Sequence, residues 1–287
     1  MTLLDARPVH RTRVGAPLVP GLLAWRRFGI GYRCETWLAW SVAHGSPVVV
    51  KLPRPDQTEH PRARRALDRE AAVLRAYPHP DLPRLLADER DAAVPHLVVE
   101  HVDGPALDEL LDETGPADDH TVLTLAARLL APLRWLHRHG VVHLDVKPAN
   151  VLVRDAHPML IDLGSARPAG RPQPPGRPIG SPGYAAPELE AGDPVTPGMD
   201  LYSLGVTVAE AHRGELVFDP DTPAGLRPDP AFPDGPVGDL LRTLLARDPA
   251  DRPVDCDAAL DLVRSAADAT GCPPVTPSFV HRTGGAR

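Results

Sequence analysis

Two lysines and a single asparagine stand in the chain, and their positions are the first clue to its chemistry. Lysine and arginine together number 31, so almost every positive charge is written as arginine. An ammonium is a compact point charge on a flexible stem, whereas a guanidinium is a wide planar fork. Lysines that survive such a preference mark places where a tight pocket must grip one phosphate oxygen. Lys51 closes the run Val48-Val49-Val50. Lys147 and the lone Asn150 lie together in His143-Leu144-Asp145-Val146-Lys147-Pro148-Ala149-Asn150. Asp145, Lys147 and Asn150 are spaced so that they can line one side of a tight loop. An acid, an ammonium and an amide oxygen converging there read as parts of a phosphoryl-transfer site, as does Lys51.

The surrounding sequence must supply elements that aim these groups. From about 24 to 52 short strands are broken by glycines: Phe28-Gly29-Ile30-Gly31, then Thr36 to Trp40, then Val48 to Leu52. Around 61–76 the spacing of Leu67, Glu70, Ala71 and Leu74 predicts a helix, with a carboxylate inside its apolar stripe. Strands are expected at 84–88 and 96–102, before Asp103-Gly104-Pro105 breaks the chain. Beyond it the sequence turns helical: 121–139 carries Val122, Leu125, Leu129, Leu133 and Leu136 on one side and stops at Gly140. Short apolar pieces flank the His143–Asn150 segment at Val141-Val142, Val151–Val153 and Met159–Ile161. Residues 167–178 are too rich in proline and glycine for helix or sheet and read as an extended loop. Further helices are expected at 199–212, 236–246 and 256–267. The organisation predicted is a loose arm over 1–19, one domain over 20–269 with a small β-rich lobe (20–102) and a larger helical lobe (103–269), and a flexible tail over 270–287.

Composition narrows the classes. Apolar residues make up 43 % of 287, enough for a sizeable core. The formal net charge of −7 argues against nucleic acid as a partner, since phosphate backbones call for clustered positive charge. Three widely spaced cysteines, Cys34, Cys256 and Cys272, fit a reducing compartment and no disulfide framework. No run approaches the 18 or so apolar residues of a membrane span. A signal-peptide reading of 15–25 fails on its two prolines and the Arg26-Arg27 that follows. A cytoplasmic location is expected.

Taken together, these residues resemble the eukaryotic-type (bacterial Hanks-type) serine/threonine protein kinase family, over about 20–265. The resemblance implies an α+β, bilobal protein-kinase-like fold, with a small antiparallel β-sheet lobe carrying one helix and a larger, mainly helical lobe. Gly29-Ile30-Gly31 resembles the start of the hairpin that covers the nucleotide phosphates; the family's third glycine is Cys34 here, and its following valine is Thr36. Lys51 is similar to the lysine that pairs with the α- and β-phosphates, and Glu70 to the helix glutamate that holds it. His143-Leu144-Asp145 resembles HRD, which implies Asp145 as catalytic base, Lys147 on the γ-phosphate and Asn150 on a metal ion. Asp162-Leu163-Gly164 resembles DFG, with Asp162 as the second metal ligand. Gly180-Ser181 to Ala186-Pro187-Glu188 resembles the segment ending in APE. There Ser181 would contact the catalytic aspartate, and Glu188 would pair with Arg252. Asp200 would brace the catalytic-loop backbone. Adenine would meet Thr36, Val49, Leu152 and the gatekeeper Val99, and bond to the backbone of Glu100 and Val102. The cofactors implied are ATP and Mg2+, with Mn2+ as a substitute.

The function expected is ATP-dependent transfer to Ser or Thr hydroxyls of a protein whose identity the sequence does not give. With no sensor domain or membrane span beside the catalytic residues, the expectation is that a separate regulatory partner supplies the signal or that the chain runs unregulated. Two alternatives stand beside this: a nucleotide-binding pseudokinase-type regulator, on the strength of Cys34 and Leu144, and a small-molecule phosphotransferase, against which Lys147 and Ala186-Pro187-Glu188 argue. Leu144 replaces the arginine that grips an activation-loop phosphate in the family, so activity is expected not to need one. His137, His139 and His143 invite a metal reading, but His137 and His139 point to different sides of a helix.

Overall fold

The computed structural model describes residues 8–173 and 179–272. The chain divides into two compact units, one comprising residues up to Pro78 with Pro83–Val102, the other His79–Leu82 with the residues from Asp103 onward.

The first unit is built on a 6-stranded antiparallel sheet. Its strands are β1 (Pro17–Val19), β2 (Leu22–Ile30), β3 (Cys34–Ser41), β4 (Ser46–Pro53), β5 (Leu85–Glu89) and β6 (His96–Glu100), in the order β1-β2-β3-β4-β6-β5. Alternation along β3 and β4 sorts the side chains. Trp37, Ala39, Val48, Val50 and Leu52 enter the core with Val19, Leu22, Ala24 and Val98, while Thr36, Val49 and Lys51 face the other way. Two register shifts bend β2 just before Gly29-Ile30-Gly31. Of the arm expected over 1–19, residues 1–7 lie outside the described residues, and parts of the remainder are held by the sheet. Pro17–Val19 pairs with β2, and the His10 amide donates to Glu35 Oε1 at 2.8 Å, because the fully buried Glu35 carboxylate needs donors and the arm supplies one.

Helix α1 (Pro61–Ala76) opens with Pro61 at its first position, and the His60 ring accepts the Arg62 amide. Its buried stripe includes Leu67, Glu70, Ala71 and Leu74. A second, charged stripe ties it to the end of β5. Arg90 bonds Asp68 on α1 at 2.6 Å and grips Asp88 with two further bonds of 2.6 Å, while Arg75 also pairs with Asp88. The bonds from Arg90, together with Arg75 and against a desolvation penalty, hold the Asp88 carboxyl far below the usual carboxylate range.

The second unit is mainly helical. Helices α2 (Leu107–Thr114) and α3 (Asp119–Arg138) precede β7 (Val141–Val142), then the hairpin of β8 (Val151–Arg154) and β9 (His157–Leu160), and β10 (Arg167–Pro168). Helices α4 (Pro187–Ala191), α5 (Pro197–Arg213), α6 (Pro236–Leu244) and α7 (Cys256–Thr270) follow. Helix α5 is apolar almost all round and buried accordingly. Any Cβ at Gly205 would lie 2.8 Å from Leu244 Cβ, so this glycine lets α5 and α6 approach closely. His79–Leu82 belongs here because Leu82 is buried and the Asp81 carbonyl accepts the Leu160 amide of β9.

Three expectations need adjusting. The loop over 167–178 is not wholly without sheet: Arg167–Pro168 pairs with Val142–Val141, a bridge possible because Arg167 retains its amide; residues 174–178 lie outside the described residues. Helices α2 and α4 were not anticipated, being one or two turns long. Thr270, placed in the tail by the sequence, is the last residue of α7, which ends on Gly271 in a left-handed conformation; the rest of the predicted tail, residues 273–287, lies outside the described residues.

Candidate active site

In the first unit Lys51 and Glu70 meet. Lys51 Nζ donates to Glu70 Oε1 at 2.6 Å, with side chains 12 % and 3 % exposed. The sheet register explains the aim: Thr36 pairs with Lys51 and Val49 with Val99, so Thr36, Val49 and Lys51 share one face. Gly29 and Ile30 sit opposite Thr36 and Glu35, and the Gly31 amide donates to the Cys34 carbonyl at 2.8 Å, closing a tight hairpin. A Cβ on Gly31 would lie 3.1 Å from that carbonyl, whereas position 34 already accommodates a thiol. A side chain at the first of these positions would crowd the hairpin, whereas the second already carries one. Val99 and Val102 are buried, and Glu100 is fixed by its amide to the Arg84 carbonyl and its carboxylate to Arg84 Nε at 3.1 Å.

In the second unit a loop between β7 and β8 carries the other candidates. Ser181 Oγ donates to Asp145 Oδ1 at 2.7 Å. Lys147 Nζ donates to Ser181 Oγ at 2.5 Å and lies 3.3 Å from Asp145 Oδ2. Asn150 donates its amide hydrogens to the Asp145 carbonyl at 2.8 Å and to Asp145 Oδ2 at 3.0 Å. Asp145, Lys147, Asn150 and Ser181 are thus one hydrogen-bonded cluster. Asp162 follows β9 in a left-handed conformation, φ 67°, with Oδ1 accepting the Gly164 amide. The Ile161 amide bonds the Asn150 carbonyl at 2.9 Å, and Val151 pairs with Leu160, so the hairpin sets the two proposed metal ligands on neighbouring strand ends. A carboxylate and an amide oxygen are the hard donors that Mg2+ prefers, and the pair fits such an ion. Leu152, the remaining adenine candidate, lies on β8 opposite Met159.

One buried carboxylate braces this loop. Asp200, in the first turn of α5, accepts the His143 amide at 2.8 Å and the Leu144 amide at 2.7 Å. Burial would raise its pKa, but the hydrogen bond from His137 and that from the Leu144 amide help to outweigh it and hold the carboxyl below its ordinary value. Those two bonds keep Leu144 at φ 66°, a left-handed backbone that costs a non-glycine residue about 1–2 kcal/mol. The Leu144 side chain is 1 % exposed, an apolar group in the core. Gly180, φ +86°, passes so close that a Cβ would lie 2.8 Å from the Leu144 carbonyl. Arg252 grips Glu188 through two bonds of 2.6 and 2.9 Å, fixing the segment that follows Ser181.

Sequence reasoning missed one part of this support: His137, whose Nε2 lies 2.8 Å from Asp200 Oδ2. The signal was present, because His137 falls four residues after Leu133 and continues the buried stripe of α3. His139 turns instead onto Trp135. Among the described residues no cluster of three His, Cys, Asp or Glu side chains could hold a metal ion.

The chain matches the family described as "Protein kinase domain" over residues 24–260. It is 32 % identical over 226 residues to the probable serine/threonine-protein kinase PkwA of Thermomonospora curvata, covering 76 % of this chain and 30 % of the relative. It is 33 % identical over 283 residues to the serine/threonine-protein kinase AfsK of Streptomyces griseus, covering 91 % and 35 %. With PknB of Mycobacterium leprae it shares 29 % identity over 273 residues, covering 88 % and 43 %. The chain therefore spans less than half the length of these relatives. A family match over residues 24–260, a span that contains both clusters above, places this protein in the protein kinase family.

Proposed function

We propose that the chain transfers the γ-phosphoryl group of ATP to a Ser or Thr hydroxyl of a protein, with residues 20–269 acting as one catalytic domain. The observation that carries this reading is the Asp145–Lys147–Asn150–Ser181 cluster. Asp145, held by three hydrogen-bonding neighbours, accepts and orients the acceptor hydroxyl's proton. Lys147, 2.5 Å from Ser181 Oγ, offsets charge on the γ-phosphate as it moves. Lys51, kept aimed by Glu70, takes the α- and β-phosphates, while Thr36, Val49, Val99, Leu152 and the backbone of Glu100 and Val102 take the adenine. Asn150 and Asp162 would hold Mg2+, or Mn2+ in its place, which supplies neutralising charge to the phosphates when bound. The names of the relatives, serine/threonine-protein kinases, support the choice of acceptor class.

No helix of the described residues is long and apolar enough to cross a membrane. We place the catalytic domain in the cytoplasm, where ATP is supplied.

Incubation with magnesium and labelled ATP, with and without a generic acceptor protein, tests the proposal. Labelled phosphoserine or phosphothreonine is expected, and it should vanish in Lys51→Met and Asp145→Asn. Nucleotide binding with no transfer would overturn the enzyme reading. Labelling of free small alcohols but of no protein would overturn the acceptor class.

A further inference from the structure

Cys256 is the first residue of α7, and its thiol, in a residue 2 % exposed, lies 3.2 Å from His137 Nδ1 on α3. The opposite ring nitrogen, Nε2, faces Asp200 Oδ2 at 2.8 Å, and Asp200 in turn holds the His143 and Leu144 amides immediately before Asp145. Four groups thus run in series from a cysteine on α7 to the candidate catalytic base.

The direction of each hydrogen bond follows from chemistry. Asp200 is ionised, for the reasons given above, and an ionised carboxylate only accepts. His137 must then carry its hydrogen on Nε2. Burial, reinforced by the charges of Asp200, Asp255 and Asp257, pushes the Cys256 thiol well above its ordinary value, so the sulfur keeps its hydrogen. A protonated sulfur beside Nδ1 donates to it. An apolar side chain in its place would leave Nδ1 a buried acceptor with no donor, or let the proton cross to Nδ1 and turn the Nε2 lone pair against the carboxylate.

We propose that Cys256 is a positioning residue for phosphoryl transfer: its S–H, donating to Nδ1, locks His137 in the Nε2–H tautomer that Asp200 needs to hold the backbone ahead of Asp145. The effect on transfer rests on the reading of Asp145 as the base; the tautomer lock does not.

The test begins with the wild-type chain. Labelled with 15N-histidine, His137 (identified by the signal lost in His137→Gln) should show a protonated Nε2 and a bare Nδ1. A protonated Nδ1 in the wild type, in either the other tautomer or the imidazolium, overturns the proposal. Cys256→Ala should lower kcat and speed hydrogen exchange at the His143 and Leu144 amides, each about fivefold, the size of one ordinary hydrogen bond, while KM for ATP stays put. Cys256→Ser, which keeps a donor, should stay within about twofold of wild type on both. Unchanged kcat and exchange in Cys256→Ala would sink the idea. Should that variant fail to fold, Cys256→Ser carries the test, and a protonated Nδ1 in it overturns the lock. A chain with no turnover but with the expected nitrogen pattern and exchange rates would mean that the lock stands and the assignment of Asp145 fails.

Discussion

The two clusters proposed to carry the chemistry are held by opposite kinds of electrostatics. In the first unit, the helix that carries Glu70 is tied down by a ladder of partly exposed charges, Asp68, Arg90, Asp88 and Arg75, with the Arg75 side chain 57 % exposed. In the second, the loop that carries Asp145 hangs from Asp200, a carboxylate with no exposure at all. Surface pairs are each worth about 0–1 kcal/mol and are screened by salt. A buried carboxylate whose lone pairs meet three N–H donors is barely screened, and removing it strands those donors. The contrast separates a support that solvent conditions can tune from one that they cannot reach. It predicts that the Lys51–Glu70 half responds to ionic strength and the Asp145 half does not.

The largest test of this contrast is Asp200→Asn. The variant should lose about 3–5 kcal/mol of stability, because its amide nitrogen confronts donors where an acceptor is needed. Denaturant titration should give the same loss at low salt and at about 1 M, where the Debye length is about 3 Å. A loss that shrinks with salt would break the comparison. Next, Gly180→Ala should cost about 1–3 kcal/mol, since it adds a left-handed penalty and a contact with the Leu144 carbonyl. Its kcat should fall while KM for ATP is unchanged, marking damage confined to the Asp145 half. Arg90→Ala should cost only about 1 kcal/mol. It should raise KM for ATP at low salt by about threefold, and at about 1 M salt the variant and wild type should converge. A salt-independent difference would mean that the ladder is not a screened device.

A final test is an acid one. Asp200 has a folded pKa below its unfolded value, which is about 3.9. Its contribution to stability is complete above that unfolded value and disappears as pH falls through the lower folded one. Wild type and Asp200→Asn should therefore approach each other in stability only below about pH 4. Convergence at neutral pH would show that the carboxylate is not ionised in the native fold.

Local pattern and spacing made most of the fold legible. Alternation over Thr36–Trp40 and Val48–Leu52, the three-and-four spacing of Leu67, Glu70, Ala71 and Leu74, and the apolar stripe to Leu136 each specify their element without reference to distant residues. Lys51, Lys147 and Asn150 stood out in the sequence as rare residue types, and Glu70, Asp145, Asp162 and Ser181 by their fixed order beside them. Long-range pairing without such a motif was hidden. His137 and Cys256 are 119 positions apart, and Asp68 and Arg90 are 22 apart. A charged residue on a helix face reads as solvated until its partner is known. Helices α2 and α4 were too short to display a period, and the strand at Pro17–Val19 has little pattern of its own because β2 supplies its register.

Both ammonium side chains of the chain are committed, Lys51 to Glu70 and Lys147 to Ser181 and Asp145. It follows that amine-directed chemistry has no harmless side-chain target here. An acetyl group, an isopeptide-linked tag or an activated-ester dye attached to any lysine lands on a group that the proposed reaction requires, so stoichiometric acylation doubles as an inhibitor titration, and immobilisation through side-chain amines would silence the protein it is meant to display.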